Sequence, residues 1–196
     1  MDNVDKLEEM FCAALMATGR KGMDAVIKNL REIGFFESPA SSKHHLSYPG
    51  GLLEHSLNVW EQAKKLAAVE ICPDVKSSSI TIAALLHDVC KAGIYVVEKR
   101  NRKNDKGQWE QYDYYTPKYD RDPLGHGEKS AMMLMKWGLE LTEDEILAIR
   151  WHMANWSMPD TAEYRDSFHA AIAKSALVPI IIAADQLATW ITEVGK

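Results

Sequence analysis

Two nearly continuous apolar stretches in this sequence each run straight into ionisable residues. Ile80-Thr-Ile-Ala-Ala-Leu-Leu leads directly into His87-Asp88. The run Ala176–Ala184, interrupted by Pro179, is closed by Asp185. Both are too short to span a bilayer and read as buried core helices. Burying His and Asp side by side is costly without partners. A metal removes that cost, because it accepts the imidazole lone pair and neutralises the carboxylate. A buried pair in which Asp88 only orients His87 is the other reading. Asp185 poses the same demand and is met by a metal, an arginine or a cap. Adjacent helical residues diverge by about 100°. His87 and Asp88 therefore meet one site from two sides, or Asp88 bridges two metals.

The rest of the composition excludes several classes. The 196 residues suit one compact domain over 1–196. A 46% apolar and 26% charged chain is ordinary for a soluble globular protein. The net charge of −5 does not announce a nucleic-acid binder. Charge is uneven, however: residues 94–121 hold seven Lys/Arg and five Asp/Glu, net +2, which leaves −7 elsewhere. Cys12, Cys72 and Cys90 are odd in number and far apart, with no CxxC pair. That argues against a thiolate zinc site and a disulfide framework, and fits a reducing cytoplasm. The acidic, amphipathic start MDNVDKLEEMF does not resemble a signal peptide. A cytoplasmic protein without a membrane partner is expected.

Helical periodicity dominates. Val4, Leu7, Met10, Phe11, Ala14 and Leu15 share one face of a helix over 4–17, stopped at Gly19. Met23, Val26, Ile27, Leu30 and Ile33 repeat the pattern up to Gly34. Residues 37–51 read as a loop and 52–69 as a helix. The serines at 77–79 can cap a helix over 80–91. Thr142-x-x-Glu145 is a capping box opening a helix to about Met153, and Pro179 suits the first turn of a last helix, 179–192. The exception is 94–121, where Ile94-Tyr-Val-Val, the turn Asp105-Lys-Gly107 and an alternating segment from Trp109 predict a β-hairpin. The expected fold is all-α: a helical bundle with a small hairpin inserted around 94–117.

Seven histidines occur: His44, His45, His55, His87, His126, His152 and His169. The series His55, His87-Asp88, Asp185 resembles the H…HD…D pattern of the HD superfamily of metal-dependent phosphohydrolases. The flanks add to the likeness. Tyr48-Pro-Gly-Gly-Leu-Leu-Glu-His-Ser resembles the segment around the first histidine in bacterial HD-domain 3′→5′ exoribonucleases. Leu85-Leu-His-Asp-Val-Cys-Lys91 looks like the family's HDxxK, and Leu124-Gly-His-Gly-Glu-Lys-Ser130 resembles its GHxxxS. The likeness covers about residues 44–190.

The resemblance implies a helical core converging on a metal centre. His55, His87, Asp88 and Asp185 would ligate a first divalent ion, and His126 and His152 would serve a second, with Asp88 as bridge. One or two ions per chain are implied, and such nitrogen and oxygen donors suit Mn, Fe, Mg, Co, Ni or Zn. Many bimetallic members carry two consecutive histidines where this chain has His152-Met153, so a ligand of the second ion is missing, replaced by water or supplied from elsewhere. His45 is a candidate substitute and equally a substrate contact, whereas His44 and His169 read as solvated or structural.

The chemistry implied is attack of a metal-activated water on a phosphate ester. Asp88 would steer that water. Lys91, four residues after His87, either holds a substrate phosphate or is a helix-end lysine favoured by the dipole. Glu128 either orients a ligand near His126 or opens its helix. On the hairpin, Lys99, Arg100, Arg102, Lys103 and Lys106 precede Trp109, Tyr112, Tyr114, Tyr115 and Tyr119. That mixture fits nucleotide or single-strand binding, or an ordinary hairpin with its aromatic side on the core. The exoribonuclease-like relatives usually carry a further nucleic-acid-binding domain, for which this chain has no room. A nucleotide or short oligonucleotide is the expected phosphoester substrate, and short single-stranded nucleic acid a further partner. The family also holds degenerate binding modules without metal and a few di-iron oxygenases, which are the competing readings.

Overall fold

The computed structural model describes residues 3–43, 45–69, 75–118, 124–154 and 161–194. Cys72, His44 and Tyr119 lie outside these residues. Eight α-helices occur among the described residues: α1 (Asn3–Met16), α2 (Met23–Glu32), α3 (Gly51–Ala67), α4 (Ser77–Leu86), α5 (His126–Lys136), α6 (Glu143–Trp151), α7 (Ala162–Lys174) and α8 (Leu177–Leu187). One two-stranded antiparallel sheet, β1 (Tyr95–Lys103) and β2 (Trp109–Pro117), stands between α4 and α5. The expected all-helical bundle with one hairpin is the architecture found.

The helices share one apolar core. α4 is the most buried, with every residue from Ser79 to Leu86 inside, as its featureless apolar pattern requires. α3 lies against α4 and α8, and α6 against α8 and α4. The N-terminal helices belong to the same core: Phe11 of α1 meets Phe35 and Phe36 at ring distances of 5.3 and 5.6 Å. Each fully buried ring or branched chain of this kind contributes about 1.5–3 kcal/mol relative to exposure. The capping box at the start of α6 is present, and Glu145 does more than cap. Its carboxylate accepts two bonds from the Arg20 guanidinium, at 2.6 and 2.7 Å, and one from the Ser79 hydroxyl at 2.7 Å. A single buried acid thus joins α6, α4 and the turn after α1.

Three local readings change. The serines at 77–79 form the first turn of α4 rather than a cap in front of it. α4 stops at Leu86, and Asp88 sits at φ −108°, ψ 19°, where the chain turns into a short 3-10 segment, Val89–Lys91. The expected helix over 80–91 is thus broken at the chemically important pair. The last helix similarly passes into a π-helical turn, Ala188–Thr192. α7 was not anticipated; its Tyr164, Phe168, Ala171 and Ile172 face the core at helical spacing behind a Thr161 cap.

The hairpin uses its charges internally. Lys99 pairs with Asp113, Arg100 with Glu98 at 3.3 Å and Arg102 with Glu110 at 2.7 Å. Arg100 also lies over the Tyr114 ring and Arg102 over the Tyr112 ring, at 3.4 and 4.8 Å. Of the hairpin aromatics named above that are described, only Tyr115 is buried. Three of the five basic residues of this edge are thus paired within the hairpin.

Candidate metal centre

Three helix ends and one helix face bring the ionisable groups together. His55 faces inward from α3, His87 follows the last residue of α4, His152 follows the last residue of α6, and Asp185 lies near the end of α8. All four are buried, as is Asp88. The break after Leu86 swings the Asp88 carboxylate into the middle. Asp88 Oδ2 is 3.2 Å from His87 Nε2 and 3.7 Å from His55 Nε2, and Asp88 Oδ1 is 3.3 Å from His152 Nε2. His55 Nε2 lies 3.3 Å from Asp185 Oδ1.

The other nitrogen of each ring is already engaged. His87 Nδ1 is 2.8 Å from the Ala84 carbonyl, and His152 Nδ1 is 2.7 Å from the Ile149 carbonyl. A carbonyl oxygen only accepts, so each Nδ1 carries the proton and each Nε2 presents its lone pair inward. The Nε2 atoms of His55, His87 and His152, and Oδ1 of Asp88, are buried without a hydrogen-bond partner. Lone pairs facing carboxylate oxygens at 3.2–3.7 Å repel unless a proton or a metal cation lies between them. Three donor sets have atoms close enough to share an ion: His55, His87 and Asp185; His87, Asp88 and His152; and, at the edge of the cluster, His45, His55 and Glu193. The imidazole and carboxylate donors fit a divalent metal, and buried lone pairs of this kind are what such an ion satisfies.

Proton affinities express the same demand. Burial works against charge on His55, but its contacts with Asp185 and Glu193 outweigh burial and raise it to about 10. His152 is raised against burial by its contact with Asp88. Asp88, although buried, is held well below the usual carboxylate range by Lys91 and the neighbouring histidines. Asp185 is lowered despite burial by His55.

Lys91 does not project with His87 from a continuous helix. The 3-10 turn folds its ammonium back to 2.6 Å from Asp88 Oδ2, with 14% of the side chain exposed. His45 reaches the edge of the cluster, its ring 5.1 Å from that of His55 and its Nε2 3.9 Å from Glu193 Oε2. His126, the first residue of α5, is half-buried, and its Nδ1 meets Cys90 Sγ at 3.6 Å. It is in none of the three donor sets just described. Glu128 contacts no histidine among the described residues; it pairs with Arg150 at 3.3 Å. His169 is exposed on α7.

Close backbone approaches at two glycines place these groups. A Cβ on Gly51 would fall 2.0 Å from the Leu46 carbonyl oxygen, so only glycine lets α3 start against the segment carrying His45. Leu46 itself is held in the left-handed region at φ 44°. A Cβ on Gly127 would fall 2.2 Å from the Arg150 carbonyl oxygen. That glycine lets the start of α5 meet the end of α6, and so brings His126 toward His152.

A family model described as the HD domain matches residues 52–190. The chain belongs to the HD domain family. The matched span contains His55, His87, Asp88, His126, His152 and Asp185, whereas His45 and Glu193 fall outside it. A relative, a dihydroneopterin 2′,3′-cyclic phosphate phosphodiesterase of Methanocaldococcus jannaschii, is 39% identical over 82 residues. Those residues are 40% of this chain and 30% of that protein, so the chain spans less than a third of the relative's length. No solved structure matches the chain. In this HD domain no single helix among the described residues is long and apolar enough to cross a membrane.

Glu193 was not anticipated. It is buried, and both its carboxylate oxygens face His55 Nδ1, at 3.1 and 3.2 Å. A signal existed: Asp185, Thr189 and Glu193 recur every four residues, a spacing that keeps polar groups on one side of an otherwise apolar end.

Proposed function

We propose that this HD domain is a metal-dependent phosphohydrolase acting on a phosphate ester of a nucleotide or short oligonucleotide. The observation that carries this reading is the set of buried, inward-facing Nε2 atoms of His55, His87 and His152 around the Asp88 carboxylate. The family assignment and the phosphodiesterase relative support it. That relative's name adds cyclic phosphodiesters as a substrate class to test first.

His55, His87, Asp88 and Asp185 would hold one ion, and His152 with Asp88 would hold or share a second. A divalent cation there supplies Lewis-acid polarisation of the phosphoryl group and lowers the pKa of a water to near neutrality. The chain's own groups do the rest. Asp88 Oδ1, without a hydrogen-bond partner, accepts and orients a water proton. Lys91 balances the charge of Asp88 and, at the exposed margin of the cluster, offers its ammonium to an incoming phosphate. His45, at the edge of the cluster beside His55, is assigned a contact to substrate. The apolar walls of α4 and α8 exclude bulk water, which strengthens each of these charge interactions.

The test combines metal binding and hydrolysis. The purified chain should bind one or two divalent ions and cleave nucleotides, 2′,3′-cyclic phosphates or short oligonucleotides with at least one of Mn²⁺, Mg²⁺, Fe²⁺, Co²⁺, Ni²⁺ or Zn²⁺. His87→Ala should lose both properties while its helical circular dichroism persists. A chain that binds no divalent ion and cleaves no phosphate ester refutes the proposal. Two ions per chain, reduced to one by His126→Ala, would support a role for His126 in the second site.

A further inference from the structure

His55 differs from His87 and His152 in what holds its outer nitrogen. The latter two donate from Nδ1 to backbone carbonyls of their own helices, at 2.8 and 2.7 Å. His55 donates instead to a carboxylate from the far end of the chain, Glu193, at 3.1 Å. Glu193 is 1% exposed. Its Oε1 also accepts from Asn58 Nδ2 at 2.9 Å, and Asn58 stands one turn after His55 on α3. The carboxylate thus bonds to two positions of α3 from the turn that follows α8.

A specific backbone device delivers it. After Leu187 the chain makes a π-helical turn, closed by Glu193 N donating to the Ala188 carbonyl at 3.0 Å. The wider turn delays rotation, so Glu193 points into the core while Trp190 and Ile191 point out, 62% and 72% exposed. Gln62 of α3 donates to the Thr192 hydroxyl at 3.3 Å and ties the same turn to the same helix. π-turns are uncommon and frequently mark functional sites. Here the turn brings a buried acid onto a histidine whose other nitrogen faces Asp185 and Asp88.

We propose that Glu193 is a positioning residue that holds the His55 ring, with its proton on Nδ1, so that Nε2 faces the metal. The proposal rests on the reading of His55 as a metal ligand. A carboxylate accepting from the outer N–H of a ligating imidazole fixes ring orientation and raises the basicity of the ligating nitrogen. A backbone carbonyl orients the ring but carries no full charge, which sets His55 apart from His87 and His152.

The test uses the full chain and Mn²⁺ or Zn²⁺ alone, titrated by calorimetry, with nitrogen-15 NMR of the histidine side chains as a second readout. Glu193→Ala should weaken metal binding by about 10–100-fold, and the His55 Nδ1–H resonance should lose its hydrogen-bonded downfield position. Glu193→Gln retains an oxygen acceptor without the charge. It should restore the Nδ1–H signal and recover part of the affinity. Circular dichroism and urea unfolding identify a variant that has lost the fold, in which case Glu193→Gln alone decides. If the wild type binds metal and a folded Glu193 variant binds it equally, with the His55 signal unchanged, the positioning role is overturned while the metal centre stands. A wild type that binds neither ion overturns both.

Discussion

Replacing Lys91 by methionine removes an ammonium 2.6 Å from Asp88 Oδ2 and keeps much of the side-chain volume. Asp88 is 1% exposed, so its carboxylate would be left buried with only the histidines as its remaining partners. Breaking one partner out of a buried pair costs about 3–5 kcal/mol. The lower end applies, because Lys91 is itself 14% exposed and the histidines can take up protons. For a chain of this length about 3 kcal/mol lowers Tm by roughly 6–12 °C. This is the expectation in chelator. A divalent ion replaces the missing positive charge at Asp88, so at saturating Mn²⁺ the gap between Lys91→Met and wild type should narrow to a few degrees. Differential scanning calorimetry, with and without metal, reads both numbers. A gap of the same size in both conditions would refute the reasoning, since it would mean that no cation neutralises Asp88. Hydrolysis by the metal-loaded variant should still fall, because the ammonium offered to phosphate is gone.

Two other outcomes follow from the same geometry. In chelator, His55 at about 10 lies above its unfolded value of about 6.5. Its contribution to stability is therefore complete below pH ~6.5 and is lost as pH rises toward 10. Asp88 and Asp185 are depressed, so theirs is present above about pH 4 and lost on acidification below that. Urea midpoints should thus decline on both sides, and saturating metal should flatten the alkaline side; a flat profile from pH 6.5 to 10 in chelator contradicts the site as described. Gly127→Ala would place a Cβ 2.2 Å from the Arg150 carbonyl oxygen. Parting α5 from α6 should cost about 1–3 kcal/mol by urea unfolding and lower activity by moving His126, whereas an unchanged midpoint would show that the helices yield freely.

Much of this molecule is written in local pattern. The all-helical core, the hairpin and the capping box at Thr142 follow from periodicity and turn chemistry, which act over a few residues. The acidic residues at the ends of two apolar runs demand partners before any coordinates, and the resemblance to the HD pattern adds His55 and His152 to them. Other features depend on contacts distant in sequence. The break after Leu86 cannot be read from an apolar run that would suit a longer helix; packing of the end of α4 against the other helix ends decides it, and with it the inward turn of Asp88 and the return of Lys91. Glu128 could be read as orienting a ligand near His126 or as opening its helix, and only the fold pairs it with Arg150 of the next helix. Glu193 lies 138 residues from His55, and only the closure of α8 onto α3, through a π-turn, makes them partners. Sequence by itself determined that buried histidines and acids must meet a cation or one another. Tertiary structure alone decided which atoms face inward, because that orientation is set by hydrogen bonds to groups remote along the chain or freed by the end of a helix.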